Sequence, residues 1–180
     1  MNILFRIIYR INSWVILRKF KSCGRHSRIG LNSKITNAEK IKIGSNVTIG
    51  RSVWLNAKND TENQGSKICI GDGTYIGSYV QINGWESVCI DNNVLIADRV
   101  VITDAGHLYK NTDIPVIKQG DCFKGAVKIL EGSWIGAGAV ILPGVTIGKN
   151  SVVAANSLVR KSIPDNCVAG GIPAKIIKYL

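Results

Sequence analysis

The sequence predicts an all-β fold, a solenoid of about six triangular coils, and three observations carry that expectation. An aliphatic residue returns every six positions over most of the chain, as in "IGSNVT" (43–48), "IGRSVW" (49–54), "IGDGTY" (70–75) and "IGSYVQ" (76–81). Nineteen glycines against four prolines, with 7% aromatic residues, describe a chain that turns often and packs small aliphatic side chains. Extra residues, finally, enter only after every third unit. The beat is too long for an alternating strand and does not drift as a helical period does, so each unit buries its apolar side by stacking on its neighbours. At 180 residues, 46% hydrophobic and 19% charged, the chain is long enough for one domain with a substantial core.

The first element is a basic amphipathic segment at 1–22, read as a short helix. It carries Arg6, Arg10, Arg18, Lys19 and Lys21 and no acidic residue. Arg6 and Arg10 interrupt its apolar runs, which excludes a membrane span, and no small-residue cleavage site follows. Such a segment either lies on an anionic membrane surface or caps the end of the main domain.

The coils occupy 23–164 and begin at Cys23, Ile43, Ile70, Ile90, Ile129 and Ile147. In each, aliphatic side chains fill the inside, small residues let the backbone bend, and successive coils stack at roughly 4.8 Å. The third unit frays in "ITNAEK" (35–40), "LNAKND" (55–60), "INGWES" (82–87) and "ITDAGH" (102–107). Extra residues follow at 41–42, 61–69, 88–89 and 108–128, whereas the join at Ile147 has none. Stacking gathers these insertions into one corner column. His107, one of two histidines, sits in that column at the base of the longest excursion, the loop 108–128. His26 lies in the first coil as a surface residue without assigned function. Residues 165–180 form a C-terminal tail.

The formal charge of +11 favours anionic partners, but no nucleic-acid-binding motif accompanies it, so phosphorylated substrates or anionic lipids fit better than nucleic acid. The cysteines (Cys23, Cys69, Cys89, Cys122, Cys167) are odd in number and never in CxxC spacing. Three follow the β pattern and are expected as small buried residues, in a reducing compartment. Neither a zinc cluster nor a nucleophilic-cysteine signature is present.

Three stretches in order, "DNNVLIADRVVITDAGH" (91–107), "AVKILEGSWIGAGAVILPGVTIG" (126–148) and "SIPDNCVAGGIPAKII" (162–177), resemble the hexapeptide-repeat acyltransferases. The likeness is to the sugar and polysaccharide O-acetyltransferase branch related to galactoside and maltose acetyltransferases, and runs from about Ile29 to Lys178. It implies a left-handed parallel β-helix, a handedness that periodicity cannot supply and that departs from the usual right-handed crossover. It further implies a homotrimer with active sites between subunits, acetyl-CoA as acyl donor, a carbohydrate acceptor and no metal. His107 aligns with the family's catalytic histidine, and imidazole suits the removal of a hydroxyl proton near neutral pH. Trp134, Gly136, Ala137, Ala155, Arg160, Lys161, Pro173 and Lys178 align with acetyl-CoA-binding positions. The small residues would admit the pantetheine arm to the backbone, the cations would meet the nucleotide phosphates, and Pro173 would face adenine.

Asp98, Asp104 and Asp113 are available to orient His107, and Trp54, Trp85, Tyr75 and Tyr79 to stack on sugar rings. Gly77 aligns where the galactoside branch has an asparagine contacting the acceptor. The resulting expectation is a cytoplasmic enzyme, free or peripheral on the inner face of the cell membrane, that O-acetylates a sugar in surface polysaccharide synthesis. The alternatives are N-acetylation of an amino sugar on a nucleotide carrier and a non-catalytic binding or scaffold solenoid. A zinc carbonic anhydrase on the same fold is excluded, since its site takes three histidines and this chain has two.

Overall fold

A computed structural model describes residues 13–59 and 65–180. Three parallel sheets form the faces of a triangular prism. The first face stacks Ser22–Cys23, Ile41–Ile43, Ile68–Ile70, Val88–Ile90, Val127–Ile129 and Thr146–Ile147. The second stacks Arg28–Ile29, Thr48–Ile49, Tyr75–Ile76, Leu95–Ile96, Trp134–Ile135 and Val152–Val153. The third stacks Lys34–Thr36, Trp54–Ala57, Gln81–Gly84, Val101–Thr103, Val140–Ile141 and Leu158–Val159. The expected coil starts are register partners throughout: Cys23↔Ile43, Ile43↔Ile70, Ile70↔Ile90, Ile90↔Ile129 and Ile129↔Ile147.

Register is strict because the inward positions of the strands stack as aliphatic columns. Ile29, Ile49, Ile76, Ile96, Ile135 and Val153 form one such column, each at most 1% exposed. A one-residue slip would turn the whole column outward, at about 2 kcal/mol per side chain. Between the first and second faces the chain turns through left-handed backbone, with φ of 56° at Asn93 and 74° at Gly132. Asparagine and glycine adopt this conformation most cheaply, which is why they recur at that point of the beat.

Several expectations change. The longest excursion leaves the third face at Ala105 rather than after His107, because Ala105–His107 pairs antiparallel with Asp121–Phe123. Cys69 and Cys89 are not core residues. Each lies between two inward isoleucine or valine positions of a three-residue strand, so alternation turns it outward, and the two are register partners. The hydrogen bond between their thiols lowers Cys89 to about 6 against the opposing effect of burial, while Cys69 is raised. Of the five cysteines only Cys167 is buried. The C-terminal residues continue the prism: Ile163 bridges to Ile147, and the hairpin Cys167–Gly171 with Ala174–Tyr179 extends the second face.

Residues 13–17 are helical, and this part caps the first coil. Ser13 Oγ accepts the N–H of Ile29 at 2.9 Å, and Phe20 is buried in the core. The rest of the amphipathic segment, 1–12, lies outside the described residues, as do 60–64 of the second insertion. No helix among the described residues is long and apolar enough to cross a membrane.

Candidate active site

The excursion is an antiparallel hairpin grown from the corner between the third and first faces. A single helical turn, Val116–Gln119, sits at its far end. Gln119 Nε2 braces the loop by donating to the carbonyls of Asn111 at 2.7 Å and Ile114 at 2.6 Å. The hairpin register sets Asp121 directly opposite His107. His107 Nδ1 and Asp121 Oδ1 are 2.7 Å apart. A carboxylate that accepts from Nδ1–H selects the tautomer whose Nε2 carries the lone pair, the form able to take a proton.

Trp85 stands edge-on to the imidazole, with ring centroids 6.4 Å apart and planes at 81°. Its position is set by Asp104, which is fully buried. That carboxylate accepts the backbone N–H groups of Trp85 at 2.9 Å, Glu86 at 2.8 Å and Ser87 at 2.8 Å. A buried carboxylate is tolerated only when so satisfied. Asp104 thereby ties the end of the fourth coil to the corner before it and fixes the turn that presents Trp85.

Two cavities meet at His107. One, of about 570 Å³, lies beneath the excursion and is lined by Tyr109, Lys110, Ile114, Lys118 and Lys124. The other, of about 390 Å³, runs along the third face past Trp54, Asn56, Gln81, Asn83 and Trp85.

The partner of His107 is none of the three carboxylates considered from sequence. Asp98 Oδ1 accepts the Ser78 N–H at 2.7 Å, at the corner between the second and third faces. Asp104 is committed to the turn 85–87. Asp113 lies exposed within the excursion, its own N–H bonded to Asn111 Oδ1 at 2.9 Å. Trp54 and Trp85 line the third-face groove, whereas Tyr75 and Tyr79 are exposed on the second face and the corner after it. Gly77 is at that same corner, away from the groove, where a side chain would collide with Asp98. The groove's amides come instead from Asn56, Gln81 and Asn83. The signal for Asn56 and Asn83 was the second position of the frayed units, "LN" and "IN", which stack in one column with Thr103 of "IT", whereas Gln81 ends the unit before and carried none. His26 is exposed in the first coil.

The eight positions aligned with acetyl-CoA binding fall on two edges of the prism. Arg160 and Lys161 follow the last third-face strand and are exposed in the same corner column as His107. Trp134, Ala137 and Ala155 are exposed on the second face or the corner that follows it, and Pro173 and Lys178 on the hairpin that extends that face. Gly136 is buried, and a side chain there would strike the backbone of Ala155, so coil stacking alone demands a glycine. Among the described residues no cluster of three or more His, Cys, Asp or Glu is placed to hold a metal ion.

A triangular parallel β-solenoid with a histidine–carboxylate pair at one corner defines the structural class. A family described as "Bacterial transferase hexapeptide (six repeats)" matches residues 126–161. The chain is 39% identical over 151 residues to the putative lipopolysaccharide biosynthesis O-acetyl transferase WbbJ of Escherichia coli (strain K12), covering 80% of this chain and 74% of that one. It is 37% identical over 133 residues to the galactoside O-acetyltransferase of the same organism, spanning 74% of this chain but only 64% of that relative's length. Among solved structures, AntD, an N-acyltransferase from Bacillus cereus in complex with dTDP and 3-hydroxybutyryl-CoA, superposes with a TM-score of 0.79 at 26% identity, covering 93% of this chain and 87% of that one. The chain belongs to the hexapeptide-repeat acyltransferase family, and its solenoid is the family's left-handed β-helix.

Proposed function

We propose that this protein transfers the acetyl group of acetyl-CoA to a sugar hydroxyl, with His107 as general base, in the synthesis of a surface polysaccharide. The observation that carries the reading is the His107–Asp121 pair, 2.7 Å apart, at the junction of the two cavities. His107 Nε2 takes the hydroxyl proton as the oxygen attacks the thioester carbonyl, and returns it to the departing thiolate. Asp121 holds the ring and the Nδ1 proton throughout. No bond to the enzyme forms, so no nucleophilic Ser or Cys is needed.

The residues available for acetyl-CoA lie on two edges of the prism, which supports a site assembled between subunits of a trimer. One subunit supplies the His107 corner and its neighbour the Trp134–Ala155 edge. The basic stretch at 1–22 fits an acceptor carried at an anionic membrane surface.

A screen of acetyl-CoA against oligosaccharides and nucleotide-linked sugars tests the reading. It predicts CoA release coupled to O-acetylation of a glycan, and absence of transfer to every glycan contradicts it. The second reading, N-acetylation of an amino sugar on a nucleotide carrier, is favoured by Lys110, Lys118 and Lys124 around the loop cavity, which suit phosphates. It predicts that the acetylated product in the same screen is a nucleotide-linked amine.

A further inference from the structure

We propose that the third-face groove is an oligosaccharide site that holds at least two linked sugar rings of the acceptor. This rests on the reading of His107 as the base in sugar acetylation. Strand register builds the groove floor: Trp54 beside Gln81, Asn56 beside Asn83, and Asn83 beside Thr103. Three coils therefore contribute, and their outer two are about 10 Å apart. With His107 at one end and Trp54 at the other, a single pyranose leaves much of that length empty, whereas two or three linked rings fill it.

The lining fits a neutral polyhydroxyl chain. Asn83 Oδ1 accepts from Asn56 Nδ2 and from Gln81 Nε2, each at 3.2 Å. The three amides thus hold one another in place. Asn56 Oδ1 and Gln81 Oε1 are left to accept, and Asn83 Nδ2 to donate, to the paired hydroxyls of a sugar. Two indoles frame the amides, Trp85 near His107 and Trp54 at the distal end. Lysines cover part of each ring, with Lys34 Nζ 4.6 Å from the Trp54 centroid and Lys58 Nζ 5.0 Å from that of Trp85. An indole is a broad, rigid apolar surface with little entropy to lose, matched to the C–H face of a pyranose. Among the described residues lining the groove, His107 alone is ionisable, and the two nearby ammonium groups are engaged over the indole rings, so the floor between them is neutral. Lys110, Lys118 and Lys124 line the other cavity directly. Mixed aromatic and polar lining of this kind is the usual composition of a small-molecule site.

The test is a calorimetric titration with mono-, di-, tri- and tetrasaccharides of several series, namely glucose, N-acetylglucosamine, galactose and 6-deoxyhexose oligomers. In at least one series affinity should rise about tenfold or more from mono- to trisaccharide, a gain of the size aromatic stacking supplies. Trp54→Ala and Asn56→Ala should each abolish the gain with the circular dichroism of the parent retained. Affinity independent of chain length in all series, or a gain that survives both substitutions, overturns the proposal. Acetyl-CoA binding is measured in parallel on the unaltered protein. If that binding is absent while the length dependence holds, the transfer reading fails and the oligosaccharide site stands.

Discussion

His107 and Asp121 are both substantially exposed in the single chain, their side chains at 67% and 40%. A pair so placed contributes little to stability, so its consequence is the orientation of the imidazole. Asp121→Asn should therefore leave the melting transition nearly unchanged and lower kcat roughly 10–100-fold, part of the 10²–10⁴ that a positioned base supplies. KM for acetyl-CoA should stay the same. Steady-state kinetics on the folded variant decide it, and an unchanged kcat removes Asp121 from the site. The six-residue beat leads to the right corner, but it holds only as far as Thr103, and His107 itself stands in the hairpin that leaves the face at Ala105. The same count could not find Asp121, which belongs to a hairpin inside the excursion, where no period exists and pairing depends on a ladder of three residues.

Among elements, the corner after the third coil and the end of the fourth act as one unit through Asp104. Replacement by alanine leaves three backbone N–H groups without their acceptor in a buried place. Asp104→Ala should cost about 3 kcal/mol in chemical denaturation, the scale of losing buried hydrogen bonds to a charged group. It should also free the turn bearing Trp85, read as altered indole fluorescence and a higher KM for the acceptor. Stability within about 0.5 kcal/mol of the parent would show that water or a neighbour satisfies that turn. The three-residue strands mark the limit of what the beat reveals. It locates each strand, but the alternation inside a strand decides which way Cys69 and Cys89 point, and that alternation turns them outward between inward-facing neighbours. The polar column of Asn56, Asn83 and Thr103 is legible by the stacking rule once the frayed units are overlaid.

For the whole molecule, the separation of the acetyl-CoA-aligned residues onto two edges has a direct consequence. If the site spans two subunits, His107→Ala and Ala155→Trp impair different halves of it. Each variant alone should be inactive. Subunits mixed in equal amounts, unfolded and refolded together, should recover about a quarter of the parent activity, since one site in four then joins two intact halves. No recovery would place the whole site in one chain. The most direct measurement of the account is acetyl transfer from acetyl-CoA to a glycan acceptor by the parent protein and by His107→Ala, with folding and acetyl-CoA binding verified for both. The account predicts a fall of about 10²–10⁴ in kcat with acetyl-CoA binding retained. A folded His107→Ala protein turning over at close to the parent rate would contradict it.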